Sequence, residues 1–360
     1  VSGAQWSPDG SMIGFLAHFE DGTHVYMADP SDGDIRQVTR DYLLATNVTG
    51  FEWSQDGSEI YVVLRPEGAG SPPAKPEVPE TPMVRLTTDT ENRLRTYFDL
   101  LEDPWEIETI EFFATGQLAA IDVDSRDVEL IGAPAKLSSI DASPDGQLFQ
   151  VSYMDGPFSY IVPTTSVGSK TELWTRDGTL VEVLDERDLR ESAIVDDDDE
   201  EEEDDTPEKR GLTWRTDGGP GMMFLRRDAA PESDDEEEEE EQEEADDRMD
   251  RLFFWLPPYS EDSIEEVYAV EGQMQSVAFD ASGDMLFVTR RRGGGQNATT
   301  TIHAVDLNAP DEEHLVYERD GDVELTDDPG TLAYMEGPNG GRVVRTSTDG
   351  THVFLTGTQY

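Results

Sequence analysis

The residues best suited to chemistry in this sequence are three consecutive arginines, Arg290, Arg291 and Arg292. They form a basic cluster in a chain whose formal net charge is -55. A guanidinium group can bind a carboxylate through two parallel hydrogen bonds, so these arginines are candidate ligands for a substrate carboxylate. They could equally neutralise acidic loops beside them, and the composition favours that structural role.

The sequence contains no recognisable catalytic or cofactor-binding motif. None of its five histidines has a partner at metal-ligand spacing. No G-x-S-x-G segment is present to expose a nucleophilic serine, and the glycines at 293–295 lack the Lys and Ser/Thr of a phosphate loop. The chain has no cysteine, which excludes disulfides and thiolate chemistry. We therefore expect no catalytic residue, no metal site and no cofactor.

A second candidate site is the apolar segment P-F-S-Y-I-V-P at residues 157–163. It lies inside a predicted long connection between strands. A contiguous apolar surface is seldom left exposed, so we expect this segment to pack against another domain. The candidate interface residues are Pro157, Phe158, Tyr160, Val162 and Pro163.

The elements that must position these residues are short strands in a repeated unit. A tight S-x-D-G turn follows Trp6, Trp53 and Ala142, and weaker copies follow Trp214 and Phe279. Each turn is flanked by short runs of β-forming residues, which predicts a hairpin. Four strands in a period of roughly 45 residues predict an all-β fold, a β-propeller of four-stranded antiparallel blades. One such sheet cannot cover its own apolar faces, so blades must stack on each other.

We predict five complete blades and part of a sixth, in one incomplete propeller domain covering residues 1–360. The predicted strands leave long insertions at 65–114, 155–170, 185–209 and 226–250. Because antiparallel strands alternate in direction, these connections should share one face of the propeller. The arginine cluster opens a shorter connection, 290–299, on the same face. Helix-like spacing between Leu94 and Phe113, broken at Pro104, predicts a cap over that face.

Acidic residues dominate both locally and globally. Residues 196–205 hold ten acids and residues 232–247 hold thirteen, and such runs should be disordered because their charges repel. Elsewhere acids still outnumber the 26 bases, of which only four are lysine. This pattern indicates adaptation to high salt, although a soluble protein with two acidic loops would show it too. Nucleic acid and anionic membranes are poor partners for such a surface.

The sequence contains no stretch long and apolar enough to span a membrane, and we expect no signal segment before Val1. The chain begins and ends inside predicted blades, so we expect it to be a piece of a longer protein. Its compartment stays open, and we expect either a secreted or periplasmic location or the cytoplasm of a salt-adapted bacterium.

Several segments carry a family resemblance. They are R-T-Y at 95–97, F-F-A-T at 112–115, P-F-S-Y at 157–160 and D-R-L-F at 250–253. With these segments the chain resembles the N-terminal β-propeller of the prolyl oligopeptidase (S9) clan of serine peptidases, in particular the glutamyl endopeptidases of bacteria and chloroplasts.

The resemblance implies a larger parent enzyme. In that family a C-terminal α/β-hydrolase domain carries the Ser-Asp-His triad, and a propeller of seven blades covers it and limits which peptides enter. The implied partners are therefore the hydrolase domain of the same parent chain and peptide substrates, and the implied activity is cleavage after glutamate. No catalytic residue can be carried over to this chain, which we expect to be inactive alone.

Two other interpretations stay open, a stand-alone periplasmic-type propeller acting as a protein-interaction scaffold and a truncated gene product without a function. Residues 157–163 distinguish the stand-alone scaffold from the peptidase propeller, because in a stand-alone protein this segment must fold against its own blades. The acidic runs also depart from the family. If the acidic runs border the substrate route, their charge would disfavour acidic peptides at low salt, which conflicts with cleavage after glutamate. At high salt, screening would weaken this repulsion.

Overall fold

The computed structural model describes nine stretches of the chain. These are residues 1–44, 46–77, 100–189, 209–229, 248–292, 299–310, 312–320, 330–338 and 340–357. The chain divides into two compact units, Val1–Glu201 and Glu202–Tyr360, and each is described by itself. The prediction of one domain over residues 1–360 stays a prediction.

Unit 1 contains three four-stranded antiparallel sheets, each made of consecutive strands. Blade 1 consists of β1 (Ser2–Trp6), β2 (Ile13–His18), β3 (Thr23–Ala28) and β4 (Ile35–Gln37). Blade 2 consists of β5 (Phe51–Trp53), β6 (Glu59–Leu64), β7 (Gly116–Asp122) and β8 (Val128–Ala135). Blade 3 consists of β9 (Leu137–Ala142), β10 (Leu148–Met154), β11 (Ser169–Thr175) and β12 (Leu180–Arg187).

Unit 2 contains two more sheets of the same kind and two small ones. Blade 4 consists of β13 (Arg210–Trp214), β14 (Met222–Arg227), β15 (Met249–Trp255) and β16 (Ile264–Glu271). Blade 5 consists of β17 (Met274–Phe279), β18 (Met285–Arg292), β19 (Thr299–Asp306) and β20 (Glu313–Asp320). The small sheets pair β21 (Thr331–Leu332) with β24 (Leu355–Thr356), and β22 (Tyr334–Glu336) with β23 (Arg342–Val344). The all-β class and the propeller blades, five complete and one partial, are confirmed.

The S-x-D-G turn between the first two strands of a blade is held by its own side chains. In blade 1 the Ser7 hydroxyl donates to Asp9 at 2.6 Å, and Asp9 accepts from the Ser11 backbone N–H at 3.0 Å. The Ser7 oxygen also accepts from the Met12 N–H at 2.9 Å. Gly10 has a φ of 69°, which residues with a side chain seldom adopt. The same hydrogen bonds recur in the turns at 54–59 and 143–148.

The weaker copies keep the turn with different residues. In blade 4 the serine is replaced by Arg215, whose guanidinium lies 2.7 Å from the Asp217 carboxylate. In blade 5 the two side chains exchange places, and Ser282 donates to Asp280 at 2.8 Å. A further S-x-D-G turn, which was not among those predicted, lies at residues 347–350 and has the same hydrogen bonds.

Apolar side chains fill the space between neighbouring blades within each unit. Met27, Ile60 and Ile121 belong to the cluster between blades 1 and 2. Between blades 2 and 3 the rings of Tyr61 and Phe149 meet edge to face, with their centroids 5.0 Å apart. Similar clusters join blade 4 to blade 5, and blade 5 to the partial blade. Each fully buried side chain of this size contributes about 1.5–3 kcal/mol, so packing between blades stabilises each unit.

Four long connections lie between the second and third strands of their blades, and their limits differ from the predicted ones by one to three residues. The observed connections cover 65–115, 155–168, 228–248 and 293–298. Strands β14 and β18 continue through arginines that the prediction had placed in connections, and β12 continues to Arg187. The acidic runs at 196–205 and 232–247, which were predicted to be disordered, lie outside the described residues.

The insertion of blade 2 contains the helix α1 (Pro104–Ala114). Pro104 was predicted to break a helix, but it begins one, where its missing N–H needs no partner. The Asp103 carboxylate caps this end and accepts from the Glu106 N–H at 3.0 Å. The Trp105 indole N–H donates to the Pro73 carbonyl at 2.9 Å and so ties the helix to the start of the insertion. Residues 94–99 of the predicted helix lie outside the described residues.

Candidate functional site

The candidate arginines lie at the insertion edge of blade 5, defined here as the edge where the second strand of a blade leads to its third. They occupy the last three positions of β18 and pair with β19. Arg290 lies 2.5 Å from the Glu313 carboxylate and donates to the Tyr268 hydroxyl at 2.9 Å. Tyr268 belongs to β16, so Arg290 joins blades 4 and 5.

The groups around Arg290 have shifted pKa values. Burial would raise the pKa of Glu313, but hydrogen bonds from Tyr268 and Arg290 hold it below its usual value. Burial, together with the hydrogen bond to Glu313, raises the pKa of Tyr268. The His303 ring lies 3.3 Å from Glu313, and burial and the charge of Arg290 lower its pKa. At neutral pH the cluster is one ion pair with a tyrosine and a neutral imidazole, which suits a structural role for Arg290.

Arg291 and Arg292 differ from Arg290 because both are exposed. Neither forms an ion pair or hydrogen bond with the part of the chain that the structure describes. These two guanidinium groups can therefore bind an anion from solution without breaking a contact to the described residues. The expectation that the three arginines bind substrate stays a prediction.

The segment at residues 157–163 is divided between burial and exposure within unit 1. Phe158 and Val162 are 7% and 4% exposed, and the Lys136 ammonium lies 5.2 Å from the centre of the Phe158 ring. Tyr160 and Ile161 point outward and are 37% and 55% exposed. One side of the segment thus folds against its own unit, while the other offers an apolar surface. The predicted interface role of Pro157, Phe158, Tyr160, Val162 and Pro163 stays a prediction.

A pair of carboxyl groups on neighbouring first strands escaped the sequence analysis. Glu52 on β5 accepts a hydrogen bond from the Ala142 N–H at 3.3 Å, and Asp141 precedes Ala142 on β9. On β1 the equivalent position is Gln5, whose amide donates to the Phe51 carbonyl at 2.9 Å. In each case this residue lies two positions before the serine of the S-x-D-G turn. That shared position was the signal by which the sequence could have revealed the pair.

The two carboxyl groups are poised to hold a proton near neutral pH. Burial and the nearby charge of Asp141 raise the pKa of Glu52 to about 7. Although Asp141 is exposed, the protein atoms around it displace enough water to raise its pKa to about 6. The pair can exchange protons or attract a cation, but no nucleophile or hydrolytic partner is seen beside it among the described residues.

The D-R-L-F segment that carried part of the family resemblance begins with a buried charge. Asp250 on β15 is 0% exposed and binds the Arg210 guanidinium through both oxygens, at 2.7 and 2.6 Å. It also accepts from the Met274 backbone N–H at 2.9 Å. Because Met274 begins blade 5, this carboxylate connects two strands of blade 4 to the next blade.

Within the described stretches, no group of three or more His, Cys, Asp or Glu side chains could hold a metal ion. The helix found there is too short to cross a membrane. The fold therefore defines a class, that of β-propeller blades made of four consecutive antiparallel strands.

Comparison with known proteins relates this class to a peptidase. The chain is 32% identical over 229 residues to a probable chloroplastic glutamyl endopeptidase of Oryza sativa subsp. japonica, a match that covers 61% of this chain and 24% of that protein. It is 30% identical over 231 residues to the corresponding Arabidopsis thaliana protein, with 58% and 23% covered. No family model matches. The resemblance inferred from short motifs is thereby confirmed, and the match spans about a quarter of these relatives.

Solved structures with similar architecture are more distant. An oligogalacturonate lyase from Vibrio parahaemolyticus has a TM-score of 0.43 at 12% identity, covering 95% of this chain and 75% of that one. The propeller domain of the Trilobed protease from Pyrococcus furiosus has a TM-score of 0.38 at 9% identity, covering 88% and 70%. An acylaminoacyl peptidase from Pyrococcus horikoshii has a TM-score of 0.39 at 14% identity, covering 89% and 38%. We base no functional argument on these weak similarities.

Proposed function

We propose that this chain is the non-catalytic propeller part of an S9-type serine endopeptidase of the glutamyl endopeptidase kind. In this role it docks on an α/β-hydrolase domain of the same protein and limits which peptides reach the active site. The observation that carries the proposal is the 32% identity to a probable glutamyl endopeptidase over 229 residues. The absence of a nucleophile motif from the sequence agrees with a non-catalytic part.

Within this proposal the exposed part of residues 157–163 meets the hydrolase domain. Tyr160 and Ile161 offer apolar surface, while Phe158 and Val162 anchor the segment in unit 1. The arginines Arg291 and Arg292 are the candidates for contact with acidic peptides, because Arg290 already binds Glu313. Cleavage after glutamate belongs to the complete protein.

The first test compares this chain with the full-length protein of its native host. Both are incubated with a serine-reactive probe and with a fluorogenic peptide that is cleaved after glutamate. We expect labelling and hydrolysis by the full-length protein and neither by residues 1–360 alone. Hydrolysis by the purified chain, lost on serine-directed inhibition, would overturn the non-catalytic role. A native protein of about 40.1 kDa, the mass of this chain, would overturn the peptidase assignment.

A second test addresses docking in the full-length protein. Ile161→Asp places a charge on the exposed apolar surface and should loosen the contact with the hydrolase domain. We expect faster cleavage of long peptides relative to short ones, because the entry restriction is relaxed. Leu180→Asp is the matched control, since Leu180 is 50% exposed and Ile161 is 55% exposed. Equal changes in both variants would contradict docking through residues 157–163.

The stand-alone scaffold remains a second candidate because one observation favours it. Phe158 and Val162 are buried within unit 1, as a protein without a partner domain would require. In that case residues 1–360 would bind another protein and no hydrolase domain would follow. The mass of the native protein decides between the two proposals.

A further inference from the structure

One face of blade 1, which we call the open face of blade 1, is apolar and accessible to solvent. The strand register places Trp6 opposite Ile13 and Phe15 opposite Tyr26, and directly opposite residues point to the same face of a sheet. Trp6 is 57% exposed, and the other three residues are half-buried. The open face of blade 1 is formed by Trp6, Ile13, Phe15, Tyr26, Ala28 and Ile35.

The opposite face of blade 1 is covered. Leu16 and Met27 alternate with residues of the open face, so they point the other way. Both belong to the apolar cluster between blades 1 and 2, where Leu16 is 5% exposed and Met27 is 0% exposed. Blade 1 therefore packs against a neighbour on one face and presents the other face to solvent.

The positions equivalent to the open face are completely buried in three other blades. The residue before each tight turn pairs with the second strand, and this pairing aligns the blades. Each of the equivalent residues lies in a cluster shared with the blade before it in the chain. The residues that correspond to Ile13 and Phe15 are all 0% exposed: Ile60 and Val62 in blade 2, Phe149 and Val151 in blade 3, and Leu286 and Val288 in blade 5.

The residues that cover these positions have a common chemistry. They are apolar side chains from the second and third strands of the neighbouring blade. An occupant of the open face should therefore present apolar side chains from two adjacent strands. Examples are Leu16, Val25 and Met27, which blade 1 presents to blade 2, and Val63, Leu118 and Ala120, which blade 2 presents to blade 3.

The open face is suited to an apolar partner. The rings of Phe15 and Tyr26 are stacked with their centroids 6.0 Å apart, and Phe19, which is 54% exposed, lies 6.1 Å from Tyr26. The Tyr26 hydroxyl already donates to the Gln37 side chain at 2.9 Å, so it needs no polar group from a partner. A contiguous apolar surface of this kind is seldom left exposed.

We propose that the open face of blade 1 binds the apolar face of a further four-stranded blade, formed by residues of the same parent protein outside 1–360. The complete burial of the equivalent positions in blades 2, 3 and 5 carries the proposal. A second copy of this chain is disfavoured as the occupant, because two chains with a formal net charge of -55 repel each other. The proposal shares with the proposed function only the longer parent protein and does not depend on peptidase activity.

The test places a photoreactive group on the open face of the full-length protein. Phe15 is replaced by p-benzoylphenylalanine, irradiation attaches this side chain to residues in contact with it, and mass spectrometry identifies the attached peptide. We expect one intramolecular cross-link, to a peptide outside residues 1–360 whose apolar residues alternate as in a strand. The control carries the same group in place of Leu130, which is 55% exposed on β8, and should not be attached to that peptide.

Every other result of the cross-linking would overturn the proposal. These results are a cross-link within residues 1–360, a cross-link to a second molecule, a cross-link to the hydrolase domain, and no cross-link. Attachment to the hydrolase domain would leave the peptidase assignment standing and refute only the further blade.

Hydroxyl-radical footprinting tests the same contact without a variant, in case the replacement of Phe15 prevents folding. We expect Trp6 and Tyr26 to be oxidised in residues 1–360 and to lose most of this oxidation in the full-length protein. Leu130 should be oxidised equally in both, because its position on β8 is outside the open face. Equal oxidation of Trp6 in the two proteins would refute the covering blade.

Discussion

The turn aspartates show how one side chain can fix a hairpin. Asp56 accepts three hydrogen bonds, from the Ser54 hydroxyl at 2.8 Å, the Ser58 N–H at 3.0 Å and the Ser58 hydroxyl at 2.7 Å. We expect Asp56→Ala to lower the free energy of unfolding by about 1–2 kcal/mol, as measured by urea denaturation. Asp127→Ala is the control, since the Asp127 carboxylate accepts no hydrogen bond from the described residues. An equal loss in both variants would contradict this role.

The carboxyl pair predicts a pH dependence of stability. The pKa of Glu52 is raised to about 7 in the folded chain, so folding favours the protonated form. Its contribution to stability is greatest below the unfolded pKa, about 4.3, and falls as the pH rises toward 7. Glu52→Gln keeps an oxygen to accept from Ala142 and removes the charge.

We therefore expect Glu52→Gln to be more stable than the wild-type chain at pH 8, and to show little advantage at pH 4.5. Thermal unfolding at a series of pH values measures the difference. Glu265→Gln makes the same charge change at an exposed position and should leave the pH dependence unchanged. A constant difference between Glu52→Gln and wild type across this range would refute a raised pKa for Glu52.

Single residues also show the limits of prediction from sequence. The S-x-D-G turns could be predicted because their hydrogen bonds are local and need only the residue types at fixed spacing. The different roles of the three arginines could not be predicted, because Arg290 contacts Tyr268, which belongs to another blade. For the same reason the proximity of Glu52 to β9 depends on how two blades pack.

At the scale of elements, Asp250 connects three strands through one buried carboxylate. Asp250→Ala would leave the Arg210 guanidinium and the Met274 N–H without this acceptor. Breaking a buried ion pair in this way costs about 3–5 kcal/mol, which equilibrium denaturation would detect. Hydrogen exchange should also accelerate at the Met274 amide.

Asp228→Ala serves as the control for Asp250. Asp228 lies 3.1 Å from Arg251, but it is 47% exposed and solvent screens the pair. We expect a loss below about 1 kcal/mol. If the two variants lose equal stability, the buried carboxylate does not connect the blades as described.

The strands themselves could be predicted more reliably than their ends. Alternation and tight turns indicated all five complete blades, because both signals are local. The ends of β14 and β18 were misjudged because arginine is not a typical strand residue, whereas pairing with β15 and β19 keeps these segments extended. Pro104 was misjudged because the same residue type can break a helix or begin one, and the Asp103 cap decides which.

At the scale of the whole chain, the net charge of -55 predicts a strong response to salt. Self-repulsion destabilises a compact acidic chain, and raising the ionic strength shortens the Debye length from about 10 Å at 0.1 M to about 3 Å at 1 M. We expect the midpoint of thermal unfolding to rise by several degrees between 0.1 and 1 M KCl. Sucrose at matched osmolality controls for solvent exclusion, and a midpoint that falls in KCl would contradict the salt-adapted interpretation.

Each blade is a continuous piece of chain, and this contiguity sets an order of folding. Blade 1 needs a link of only four residues between its second and third strands, residues 19–22, whereas blade 2 must close a link of 51 residues, 65–115. The entropy of loop closure makes the longer link costlier by about 2 kcal/mol. As the chain leaves the ribosome, the strands of blade 1 can pair at once. In blade 2, the apolar side chains of β5 and β6 stay exposed until β7 has been synthesised. A nascent chain is therefore most vulnerable to aggregation and to chaperone capture between the synthesis of β6 and that of β7.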